Sequence, residues 1–296
     1  MNNSPGLWTD EITMKEVSAS KKALKGLLKN SHFGKFIEQR IKPNCRKIFK
    51  KGLSLNEINK VKSDLFEARF LYEIVASSKC SEIEYEFEAG PGESSIDFKF
   101  IANGKTWLLE LTSLRDSKNI KDKTWEKELD GGISSFGFCS LTTGKENNIA
   151  NLEIIKAQNA LINKTINEDG GAIKFPEVIK NQYHIIAIDM RGFLCGRADD
   201  EDFYVICYGD EGTNLSSSDT PEIVYLNTFN GKPIVGIFDD NHPHKERASF
   251  LKERIHAIFF VNEIKNITSL YFNPKFFSLE EAKKIYNLFP LKDAFK

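Results

Sequence analysis

Apolar and polar residues recur with two different periods along this chain, and the changes of period mark its elements. From Leu24 to Phe49 the apolar positions follow helical spacing until Pro43 breaks the run. Ser54, with Glu57 three residues on, spells a capping box. It opens a predicted helix from about Leu55 to Ala76, in which Leu65, Ala68, Leu71, Tyr72 and Val75 form the apolar stripe. The period then shortens to two. Ile83, Tyr85 and Phe87 alternate with glutamates, and Gly90-Pro91-Gly92 ends that strand. Ile96, Phe98 and Phe100 face away from Asp97 and Lys99 in a second strand, Ser95 to Ile101. Asn103-Gly104 is a strong hairpin turn signal, and Thr106 to Ser113 is the returning strand.

Further on, helical signals lie at Lys121–Leu129 and a loop at Thr143-Gly144-Lys145, and a long helix is predicted from Asn148 to Ile166. Tyr183 to Met190 is a nearly continuous apolar run, the pattern of a strand covered on both faces. More strands are expected at Phe203–Tyr208, Pro233–Phe238, His256–Val261 and Thr268–Tyr271, with a last helix from Ser278. The partition is a basic helical N-terminal extension over residues 1–54 and one α/β domain over residues 55–296.

The 296 residues are 41% hydrophobic and include 34 aromatic side chains, enough for a packed core. No apolar run of membrane-spanning length occurs, and Met1-Asn2-Asn3-Ser4-Pro5-Gly6 lacks the basic and apolar parts of a leader. Cys45, Cys80, Cys139, Cys195 and Cys207 are scattered and odd in number, which reads as reduced thiols. The expectation is a soluble cytoplasmic protein with no membrane partner. The net charge of −1 conceals a gradient. Between Lys21 and Lys62 thirteen basic residues, Lys47, Lys50 and Lys51 among them, face only Glu38 and Glu57. From Asp199 to Glu222 eight acidic residues stand with no Lys or Arg, in an expected loop. A basic segment on an otherwise acidic chain suits a polyanion, and it reads equally as a solvated helix face.

The order helix, three strands, long helix, buried strand, with Asp97 on the second strand and Glu110 on the third, resembles the PD-(D/E)xK nuclease superfamily. The matching text is Ser95-Ile96-Asp97-Phe98-Lys99-Phe100, the Asn103-Gly104 turn, and Trp107-Leu108-Leu109-Glu110-Leu111-Thr112-Ser113. The resemblance implies an α/β fold with a restriction-endonuclease-like core, a mixed central sheet flanked by helices in the order αβββαβ. The turn itself supports the pairing: if Ala102 pairs with Lys105, equal counts back along each strand set Asp97 opposite Glu110 on one face. Two converging carboxylates repel and call for a cation, and hard oxygen ligands favour Mg²⁺ or Mn²⁺. Such an ion can activate water and stabilise charge in attack on phosphorus.

By the same resemblance, Glu67 on the preceding helix is a third acid, with Glu73 a weaker competitor. The superfamily's lysine position is Thr112 here, whose hydroxyl could serve a water, and Ile96 stands where proline is usual. Relatives supply the missing amine from elsewhere, commonly the helix after strand three. Lys156 is the first candidate and Lys99 the second, and Gln158 is a candidate for contact with a metal-bound water or the substrate backbone. The expected activity is hydrolysis of DNA phosphodiesters dependent on Mg²⁺ (or Mn²⁺), and double-strand cutting would favour a homodimer. The alternative is a catalytically impaired nucleic-acid-binding or protein-interaction module. Asp239-Asp240-Asn241-His242-Pro243-His244 reads as a turn, since no Cys or His pair lies at zinc spacing.

Overall fold

The computed structural model describes residues 10–30, 32–41, 43, 60–88, 95–114, 124–129, 133–138, 149–166, 173–191, 198–211, 213–215, 222–224, 228–262 and 268–294. The first helix, α1 (Asp10–Leu28), is followed by short helical turns over residues 34–41 and then by α2 (Lys62–Ala76). Ser54, Glu57, Lys47, Lys50 and Lys51 lie outside the described residues, as do Gly90-Pro91-Gly92 and Thr143-Gly144-Lys145. Strands β1 (Cys80–Glu88), β2 (Ser95–Ala102) and β3 (Lys105–Ser113) run antiparallel, one after the other. After a hairpin of β4 (Thr124–Leu129) and β5 (Ile133–Phe138), α3 (Ile149–Asn163) leads to β6 (Gln182–Asp189), which pairs parallel with β3. Next come α4 (Asp200–Tyr208), the small pairs β7 (Thr213–Leu215) with β8 (Glu222–Val224) and β9 (Thr228–Phe229) with β10 (Lys232–Pro233), and α5 (Lys245–Arg254). Strand β11 (Ala257–Val261) joins β6 in parallel, β12 (Thr268–Phe272) closes the sheet antiparallel to β11, and α6 (Leu279–Leu288) follows.

The central sheet has six strands in the order β1-β2-β3-β6-β11-β12, mixed and flanked by helices on both faces. Its alternation divides the core in two. Phe98, Phe100, Trp107, Leu109, Ile185 and Phe259 pack beneath α1 and α2 with Leu24, Leu27, Phe66 and Phe70. Leu108, Ile186, Ile188, Ile258 and Phe260 face the other way, against Ile154, Leu161, Phe203 and Leu251 of α3, α4 and α5. Strands β6 and β11 are apolar on both faces because helices cover both. Each large apolar side chain fully buried in this way contributes about 1.5–3 kcal/mol. Helix α1 shares the sheet's core, and Gly26 lets it close on α2, since a Cβ there would lie 2.6 Å from the Tyr72 ring.

Three local expectations are corrected. Within Lys121–Leu129, predicted helical, residues 124–129 form strand β4, where Thr124 and Trp125 favour an extended chain. Phe203–Tyr208, predicted as a strand, lies in α4, because Asp199 accepts hydrogen bonds from the amides of Glu201 and Asp202 and the Asp202 carboxylate answers the Asp199 amide. Acidic residues expected in a loop thus occupy a helix N-terminus, where the partial positive charge favours them. Pro233–Phe238 contributes only the end of β10 and a single bridge from Val235 to Gly209, outside the central sheet.

Candidate active site on the β2–β3 hairpin

Asn103 and Gly104 both adopt positive φ, as the two-residue turn requires, and Ala102 pairs with Lys105. The main-chain ladder continues to Phe98 opposite Leu109. At the next pair, side chains take over: the Asp97 amide donates to Glu110 Oε2 at 3.3 Å, and the Leu111 amide donates to Asp97 Oδ2 at 2.6 Å. The two carboxylates therefore sit where β2 and β3 begin to part, on the face that also carries Leu108. Glu110 is fully buried and Asp97 half-buried.

A buried carboxylate needs compensation, and Glu110 has it from two amines. Lys164 Nζ donates to Glu110 Oε1 at 2.9 Å and Lys174 Nζ to the same oxygen at 2.6 Å. Lys164 stands one residue beyond α3. Ile166 and Ile173 form an antiparallel bridge, and the Lys174 amide donates to the Thr165 carbonyl at 2.9 Å, so both lysines stand at the neck of one loop. Glu67 of α2 accepts a hydrogen bond from the Tyr85 hydroxyl of β1. Burial, then the Glu110 charge, pushes Asp97 up to about 7; Lys164 and Lys174 pull against that rise and Glu67 adds to it. Burial works against the Lys164 ammonium, but Glu110 and Asp97 outweigh it and hold its pKa above the ordinary value.

The other candidates are placed elsewhere. Lys156 pairs with Glu153 at 3.0 Å on its own helix, and Lys99 reaches across to Glu84 at 2.8 Å while lying over the Phe87 ring. Neither carries the amine on Glu110; Lys164 and Lys174 do. Gln158 is buried, and its amide nitrogen donates to the carbonyls of Ile206 and Val235, joining α3 to α4 and the segment after β10. Thr112 is half-buried on β3 opposite Ile188. Glu73 pairs with Arg69 at 2.7 Å. Asp239 and His242 accept hydrogen bonds from the amides of Asn241 and His244 within a turn. Lys62, counted in the basic segment, is buried: it donates to the Leu114 and Arg191 carbonyls and lies 3.7 Å from Asp189. Lys22 and Lys25 of α1, and Lys29 just after it, are exposed.

Neither Lys164 nor Lys174 stands out in the sequence. A lysine after a helix C-terminus is a common charge placement, and Lys174 follows Gly170-Gly171 in a stretch without period. The one available signal was the expectation, implied by the resemblance, that the amine comes from the helix after strand three, read to that helix's end.

Among the described residues, no three His, Cys, Asp or Glu side chains form a group able to hold a metal ion by themselves. The donor chemistry still suits a magnesium-like ion, which commonly binds through one or two carboxylates and takes its other oxygens from water and phosphate. The raised Asp97 pKa comes first from burial and only then from the neighbouring Glu110 charge. No helix among the described residues is long and apolar enough to cross a membrane. Comparison of the chain with family models, curated proteins and solved structures finds no match to any of them.

Proposed function

We propose that this protein is a metal-dependent nuclease with a restriction-endonuclease-like core, hydrolysing DNA phosphodiesters at Asp97 and Glu110. The observation that carries the reading is the meeting of these carboxylates with two amines, Lys164 and Lys174, across the β2–β3 hairpin. The amine that Thr112 does not supply is thus present from the other side of the sheet's crossover. Asp97 and Glu110 would hold Mg²⁺ or Mn²⁺, with Glu67 assisting through water. When bound, the ion supplies electrostatic stabilisation of the charge that develops on the phosphate.

The chain's own groups have separable tasks. Lys164 and Lys174 place two ammonium groups on the buried Glu110 carboxylate and offset the cost of its burial. The more exposed amine, Lys164, is the better placed to hydrogen-bond a phosphate oxygen or orient the attacking water. The Leu111 amide fixes the Asp97 carboxylate from β3. The exposed lysines of α1 supply salt-dependent affinity for the backbone, offsetting the repulsion between an acidic site and a polyanion.

The test is cleavage of plasmid and single-stranded DNA at low salt with Mg²⁺ or Mn²⁺, beside Asp97→Ala. Nicking or linearisation absent from the variant supports the reading, and no cleavage with either ion refutes it. A second reading, a nucleic-acid-binding or protein-interaction module without catalysis, draws on the occupation of Glu110 Oε1 by two ammonium groups. Retention of DNA with no cleavage would select it.

A further inference from the structure

We infer that the two lysines limit this site to a single divalent cation per chain, the ammonium pair standing where a second ion would otherwise bind. The inference rests on the nuclease reading and deepens it. Two-ion phosphoryl-transfer sites hold their metals about 3.5–4 Å apart, close enough to need acidic oxygens shared between them. Here each carboxylate has one oxygen already taken. Both ammonium groups lie on Glu110 Oε1, at 2.9 and 2.6 Å, and the Leu111 amide lies on Asp97 Oδ2 at 2.6 Å. That leaves Glu110 Oε2, which has only the long 3.3 Å contact from the Asp97 amide, and Asp97 Oδ1. These two oxygens suffice for one ion completed by water and phosphate.

Repulsion between cations points the same way. A second ion would add two uncompensated charges beside ammonium groups a few ångströms away, where like charges repel strongly. The lysines cannot simply withdraw together, because Glu110 is fully buried and would lose its partners. Lys174 is the firmer of the two, with a side chain 14% exposed against 35% for Lys164.

Mn²⁺ titration of the full chain, read by calorimetry and by electron paramagnetic resonance of free and bound ion, tests the count without any substrate. The expected result is one ion per chain for the wild type and two for Lys164→Met/Lys174→Met, whose Glu110 Oε1 is released. Should the double variant fail to fold by circular dichroism, Lys164→Gln takes its place, since the more exposed lysine tolerates change. It is expected to gain a weaker second binding step. Two ions on the wild type would overturn the one-ion inference while leaving the nuclease reading intact. One ion on both wild type and variant would overturn it as well, because the lysines would not set the count. Loss of all binding in the folded variant would also overturn it, by making the lysines a requirement for the ion. No Mn²⁺ bound to the wild type would remove the metal site itself, and the nuclease reading with it.

Discussion

Asp97 is held at a cost to the fold. Its pKa of about 7, against 3.8 for an ordinary aspartate, means that the folded protein binds its proton more tightly than the unfolded chain. The associated stability is complete below the unfolded pKa and is lost as pH rises through the folded one, so Asp97 weakens the fold between about pH 4 and pH 7. Asp97→Asn removes the repulsion and keeps an acceptor for the Leu111 amide. The expected outcome is a protein more stable by about 1–2 kcal/mol at pH 8, with the gain gone by pH 4, measured by urea unfolding at both values. Removing Glu110 acts in the opposite sense, because Lys174 and Lys164 lose the charge they share. Glu110→Gln is expected to cost about 1–3 kcal/mol in the same assay, moderated because Lys164 can turn toward water.

Element boundaries follow from which backbone groups find partners. Six apolar residues between polar neighbours suit a strand or a buried helix turn equally, and at 203–208 the Asp199–Asp202 capping box decides for α4. Asp199→Ala is expected to lower stability by about 1 kcal/mol, read from the urea midpoint at constant slope. The far end of α4 depends on glycine. Gly209 has φ +91°, and a Cβ on Gly236 would lie inside the contact shell of the Tyr208 and Cys207 backbones. Gly236→Ala is therefore expected to cost about 1–3 kcal/mol by forcing the segment after β10 away from α4. On the opposite side of the molecule, β1 is an edge strand whose exposed glutamates discourage pairing with another chain.

At the scale of the whole molecule, buried titrating groups set the acid limit of the fold. His184 and His256 lie against each other near Phe175 and Phe276, and burial lowers them to about 4 and about 3; His242 is likewise lowered to about 4 by burial and by His244. The unfolded chain thus takes up protons on these histidines first, and stability falls as pH drops from about 6.5 toward 4. Asp97 and Asp202, raised to about 7 and about 6, oppose that trend. Asp97→Asn should therefore steepen the acid loss of stability between pH 6.5 and 4, measured as thermal midpoint against pH. The exposed lysines Lys22, Lys25 and Lys29 bear on the proposed contact with DNA. Changing all three to Gln is expected to reduce the slope of log affinity for DNA against log salt by about 2–3, measured by anisotropy.

What the sequence determined by itself is local. A two-residue turn fixes strand register, so Asn103-Gly104 already set Ala102 against Lys105 and placed Asp97 and Glu110 together, and the nearly continuous apolar run of Tyr183 to Met190 announced a strand covered on both faces. What only the tertiary structure decided depends on how separate elements lie across one another. Lys156 and Lys99 were as reasonable as any amine by spacing, yet each has a nearer acid, while Lys164 and Lys174 reach Glu110 because the crossover after α3 sets Ile166 against Ile173 and so brings both lysines to the hairpin. Lys62 belonged to a basic run by composition and became a buried tie between α2 and the ends of β3 and β6. Periodicity reports which face of an element is covered. It carries no information about which distant side chain covers it, because long flexible side chains pair with whichever opposite charge the packed elements bring within reach.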